Sequence, residues 1–120
     1  MMRTIWLALL LVSVAGCAQS ASKELIKCPT PETGQTAGTV KESAAQIAAA
    51  GQQLHYGNSN AIAEVAAAVR KRHPGAGKDA IINYLLTAYC PDLNADDALN
   101  KAGRLKAMES FAKQAGATVK

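Results

Sequence analysis

Ile81-Ile82-Asn83-Tyr84-Leu85-Leu86-Thr87-Ala88-Tyr89-Cys90-Pro91 is the stretch whose reading decides the fold. Wound as a helix, its Ile, Leu, Tyr and Ala side chains cover most of the circumference, so residues 78–90 are predicted to form a central helix buried on most sides. Asn83 and Thr87, four residues apart, make one polar stripe, and Cys90 continues it three positions on, away from the apolar bulk. Pro91 has no N–H to donate to the helical ladder, and the helix is expected to stop there.

Toward the amino terminus, His73-Pro74-Gly75-Ala76-Gly77 is a break. Before it, Ile62, Val65, Ala66 and Val69 recur at helical spacing, with Glu64, Lys71 and Arg72 pointing away. Gly57-Asn58-Ser59-Asn60 separates this helix from an earlier one. Thr39-Val40-Lys41-Glu42 has the form of a capping box, and behind it Val40, Ala44, Ile47, Gly51 and Leu54 make a narrow face of small residues suited to close packing. Toward the carboxyl terminus, Asn94 is placed to cap a last helix with Asp96 and Asp97 in its first turn. Leu99, Ala102, Leu105, Met108, Phe111, Ala112 and Ala115 form its apolar band, and residues 116–120 are expected to fray. The fold class is all-α: a small bundle of about four short helices.

Residues 1–17 carry a different message. Arg3, the apolar run Ile5-Trp6-Leu7-Ala8-Leu9-Leu10-Leu11-Val12 and then small residues follow the order of an export signal. That run is shorter than the ~20 residues a membrane-spanning helix needs. The last four residues of the 1–17 segment, Val14-Ala15-Gly16-Cys17, resemble the lipobox of bacterial lipoproteins. The resemblance implies removal of residues 1–16, a diacylglycerol on the Cys17 thiol, and further acylation of the new amino terminus, palmitate-like chains that together anchor stably where one chain is marginal. The inner-membrane retention signal of that class, an Asp after the cysteine, is replaced here by Ala18, which implies an outer-membrane location facing the periplasm.

Residues 17–38, rich in Ser, Thr, Pro, Gly and Lys, read as the lipidated cysteine and a flexible tether with almost nothing to bury. Residues 39–120 read as the helical domain. A mature chain of about 100 residues allows one domain. The formal net charge of the whole chain is +4. So mild an excess does not point to nucleic acid; it suits anionic lipid heads or peptidoglycan carboxylates.

With Cys17 assigned to lipid by the resemblance, Cys28 and Cys90 are left, in a compartment that oxidises thiols. One intramolecular disulfide is the simplest expectation, fastening the tether to the end of the central helix; pairing of either cysteine with another protein is the alternative. A helical core this small has a thin stability margin, which such a staple would widen.

Other chemistry is sparse. Arg70-Lys71-Arg72 is a candidate contact for an anion or partner, although cations at a helix carboxyl end are also favoured by the macrodipole alone. His55 and His73 have no partners at metal-ligand spacing and are expected to be solvated at helix ends. Tyr84, Tyr89 and Phe111 are expected in the core, with the phenol groups at its rim. No catalytic constellation, metal site or cofactor motif is found, and Gly75-Ala76-Gly77-Lys78 lacks the spacing and hydroxyl of a phosphate loop. The segment 82–91 also resembles part of small exported proteobacterial proteins of unassigned function, which implies no activity. The expectation is a non-enzymatic outer-membrane lipoprotein that binds or supports an envelope partner, a protein or peptidoglycan. The alternative is an inhibitor or immunity-type lipoprotein that neutralises a toxin or a wall-cleaving enzyme.

Overall fold

A computed structural model of the chain describes residues 24–29 and 40–120. The lipobox Val14-Ala15-Gly16-Cys17, the proposed cap residue Thr39 and most of the proposed tether lie outside those residues. Four helices follow in order: α1 (Ala44–Tyr56), α2 (Ala61–Arg72), α3 (Lys78–Ala95) and α4 (Lys101–Thr118). Among the described residues there is no strand, and the domain is a small all-α bundle.

Helix α3 is its centre. It packs on α1, α2 and α4, while α1 and α4 do not pack on each other. The reason lies in the composition read above: Ile81 and Leu85 are fully buried and Tyr84 and Ala88 nearly so. Val65, Ala66 and Val69 of α2 and Ala50 and Leu54 of α1 are buried in the same core cluster. Gly51 allows the closest approach, because a Cβ there would collide with the Ala88 carbonyl oxygen.

Several local expectations give way to tertiary structure. Helix α1 is capped by Ser43, whose side chain accepts from the Gln46 backbone N–H while the Gln46 side chain receives the Ser43 N–H. Glu42 therefore precedes the helix, and its carboxylate is taken by Arg72 and His73. Both Thr39-x-x-Glu42 and Ser43-x-x-Gln46 satisfy the capping pattern; the ion pair removes Glu42 from the competition.

Pro91 does not end α3, which runs on to Ala95. Proline deletes one hydrogen bond and crowds the preceding turn, but the last turn is fastened from three sides. Cys90 is bonded to Cys28 with Cα atoms 5.6 Å apart. Leu93 is 1 % exposed. Arg104 donates to the Leu93 and Asp96 carbonyls at 2.9 and 2.8 Å.

Asn94 is consequently inside α3 and caps nothing. The cap of α4 is Asn100, whose Oδ1 accepts from Gly103 N–H at 2.8 Å, while Asp96 Oδ1 accepts from Ala98 N–H in the connecting turn. The apolar band of α4 is narrower than its sequence suggests: Phe111 and Ala115 are buried, whereas Ala102 is exposed and Leu105 is 53 % exposed. Nor do the last residues fray. Val119 is buried, and the Lys120 carbonyl receives Arg70 Nη2 at 2.6 Å.

Candidate functional site

Two constructions stand out, one at each end of α3. The first is a clamp on the amino-terminal segment 24–29. Its centre is the Cys28–Cys90 disulfide, within one chain as expected. The stripe of Asn83, Thr87 and Cys90 was expected away from the apolar bulk; Cys90 is fully buried and Thr87 nearly so, because α1 and the returning segment cover that face. Thr87 resolves its own burial by donating its hydroxyl to the Asn83 carbonyl at 2.8 Å.

Asn94 reads the backbone of the docked segment from both sides. Its Oδ1 accepts from Ile26 N–H at 3.0 Å and its Nδ2 donates to the Ile26 carbonyl at 2.9 Å. Ile26 is 7 % exposed, so residues 24–29, expected to be tether, are instead docked on the domain and bury an apolar side chain. Arg104 completes the clamp. It is 2 % exposed, and its guanidinium donates to the carbonyls of Leu93, Asp96 and Glu24, the last at 3.2 Å. The carboxyl end of α3 supplies the negative partial charge that makes a buried cation tolerable there. An open apolar groove of about 400 Å³ runs beside the disulfide, lined by Cys28, Pro29, Ile47, Ala48, Ala88 and Pro91 among others.

The second construction lies at the amino-terminal end of α3. Arg72 grips the Glu42 carboxylate with Nε and Nη2, each at 2.8 Å, and His73 Nε2 is 3.2 Å from the same group. The Glu42 side chain is only 2 % exposed. The Arg72 hydrogen bonds hold its carboxyl at a pKa of about 2, against the opposing effect of burial. The Tyr84 hydroxyl is buried beside this pair, outside hydrogen-bond geometry, and burial with the Glu42 charge pushes its pKa up. His73 is thus an ion-pair neighbour rather than a solvated end group.

The three cations of the candidate contact fan apart around the end of α2, as adjacent helical residues do. Arg72 turns inward to Glu42, Arg70 reaches the Lys120 carbonyl, and Lys71 stays exposed. His55 is also not free in solvent: its ring meets Tyr56 edge-on at 4.6 Å and Tyr89 at 5.8 Å, and its Nδ1 is buried without a partner. Tyr89 in turn stacks on Phe111 at 3.9 Å, leaving Tyr56 78 % exposed at the outer end of this aromatic run. Among the described residues no group of three or more His, Cys, Asp or Glu is placed to hold a metal, and no helix is long and apolar enough to cross a membrane.

Sequence reading misses Arg104, and it takes Asn94 for a helix cap rather than a hold on the Ile26 backbone. A lone arginine in an otherwise apolar helical face was a usable signal for the first. Compared with known proteins, the chain matches no family model, no curated protein and no solved structure.

Proposed function

We propose that this chain is a non-enzymatic outer-membrane lipoprotein, anchored through acyl chains on Cys17, whose disulfide-stapled helical domain faces the periplasm and binds or braces an envelope partner. The observation that carries this reading is the Cys28–Cys90 pair. Disulfides persist in oxidising compartments, and this one leaves Cys17, the last residue of the lipobox-like sequence, as the third cysteine of the chain.

The clamp gives the reading a mechanical form. Segment 24–29 is part of the domain, so the link from Cys17 to the first held residue is short, and load on the anchor enters the bundle through Glu24, Ile26 and Cys28. Fractionation of cells expressing the wild type and Cys17→Ser tests the anchor: the wild type partitions with outer membranes, and the variant accumulates unprocessed or soluble. Crosslinking in cells, followed by identification of the captured protein, tests the partner.

The aromatic run favours a second reading. Tyr56, backed by His55, Tyr89 and Phe111 from three helices, is a preorganised exposed aromatic of the kind that anchors protein interfaces. In an inhibitor or immunity-type lipoprotein it would insert into the target enzyme or toxin. Tyr56→Ala would then abolish protection while leaving the fold intact.

A further inference from the structure

The net charge of the chain has an address. The contacts around Glu42 and Lys120 gather Lys41, Arg70, Lys71, Arg72, Lys78 and Lys120 at the end of the bundle where α2 stops and α3 begins. Lys41 precedes Glu42 in the chain, Lys120 is held by Arg70, and Lys78 follows the tight turn in which Ala76 N–H donates to the His73 carbonyl. Against these six cations stand two acids, Glu42 and Asp79. With Arg3 removed along with residues 1–16, the rest of the mature chain carries six cations and seven acids, so the positive excess of the protein lies at this end. Glu42 is sealed inside and paired with Arg72, and with that pair set aside five cations still stand against Asp79, the same excess of four.

The opposite end of α3 is where the amino-terminal segment is clamped. The helix has 18 residues, so the two ends are separated by about 27 Å. On the lipoprotein reading above, the link from Cys17 to Glu24 reaches at most about 25 Å when extended, and the clamped end is the one nearest the bilayer. The geometry points to the basic end as a docking surface, turned away from the membrane, for the carboxylate-bearing peptidoglycan of the cell wall.

The form of the surface suits a polymer. Arg72 is committed to Glu42 and Arg70 to a carbonyl, which leaves the ammonium groups of Lys41, Lys71, Lys78 and Lys120, all exposed, as the principal free charges. Spread point charges match repeating carboxylates better than one small anion, which would need converging donors. Such binding is sensitive to salt, because exposed charges are screened within a Debye length.

Co-sedimentation of the detergent-solubilised full mature protein with purified sacculi tests the inference. At low ionic strength the wild type sediments with sacculi, and Lys71→Glu/Lys78→Glu reduces the bound fraction about tenfold, as does raising salt. Lys101→Glu/Lys106→Glu, the same charge change on α4, leaves binding unchanged. Circular dichroism of each variant confirms that it is folded. No sedimentation of the wild type, or equal losses in both charge-reversed pairs, would overturn the assignment. So would binding through Lys71 and Lys78 to phosphatidylglycerol vesicles but not to sacculi, which would make the surface a lipid contact. Sacculus binding that survives in a Cys17→Ser protein lacking membrane attachment separates this surface from the anchor; failure of the anchor alone leaves the sedimentation result standing.

Discussion

Gly51 of α1 lies so close to Ala88 of α3 that a Cβ at position 51 would overlap the Ala88 carbonyl oxygen and crowd the Asp92 carboxylate. The contact is to backbone, which cannot rotate away, so the two helices must separate to admit even one methyl. Gly51→Ala is expected to lower stability by about 1–3 kcal/mol in thermal or urea denaturation. Gly116, which also lies in a helix but has nothing near a built Cβ, gives the opposite sign: Gly116→Ala gains about 0.5–1 kcal/mol.

Glu42 makes stability depend on acid. Its carboxyl pKa is lowered from 4.5 to about 2 in the folded protein, with the Arg72 hydrogen bonds the largest cause. A group whose folded pKa is depressed contributes stability above its unfolded pKa and loses that contribution as pH falls through the folded value. The melting temperature should therefore drop between pH 4.5 and about 2. Glu42→Gln should flatten that part of the profile, while Arg72→Ala, which leaves a carboxylate buried with only His73, should cost about 2–3 kcal/mol at neutral pH.

Arg104 is expected to be irreplaceable by lysine. Its planar fork serves three separate backbone carbonyls, those of Leu93, Asp96 and Glu24, and an ammonium on a flexible stem cannot span them. Arg104→Lys and Arg104→Met should both destabilise by about 3 kcal/mol, and hydrogen exchange should speed up at Ile26 and in the last turn of α3 together.

The disulfide closes a sequence separation of 62 residues. In the chain-entropy description such a link is worth about 4 kcal/mol. Cys28→Ser/Cys90→Ser should lower the urea midpoint accordingly and expose Ile26, with helices α1 and α2 retained in circular dichroism.

The pattern of agreement between sequence and fold has a physical cause. Periodicity located α2 and the body of α3 because Val65, Val69, Ile81 and Leu85 are buried for the same reason that they are apolar. The small-residue face of α1 predicted its close approach to α3, which Gly51 makes. Rules for helix ends failed where a distant residue supplied the deciding contact. Pro91 breaks an isolated helix, but Cys28, Ile26 and Arg104 hold the turn that follows it; Asn94 has the chemistry of a cap and is instead occupied by the Ile26 backbone, 68 residues away. Likewise, residues 116–120 look frayed only until Arg70, on α2, is brought to Lys120. The staple was legible by subtraction from three cysteines; the buried Arg104 and the segregation of charge at one end became visible only with the helices assembled.

Cys28 and Cys90 are bonded to each other, and the proposed lipoprotein carries lipid on Cys17. Intact-mass spectrometry of the protein purified from cell envelopes without reductant, and blocked with an alkylating reagent, reads both at once. The expected result is a chain beginning at Cys17, heavier by its acyl groups and with no alkylated thiol. A chain that retains residues 1–16 or carries an alkylated, unlipidated Cys17 would contradict it.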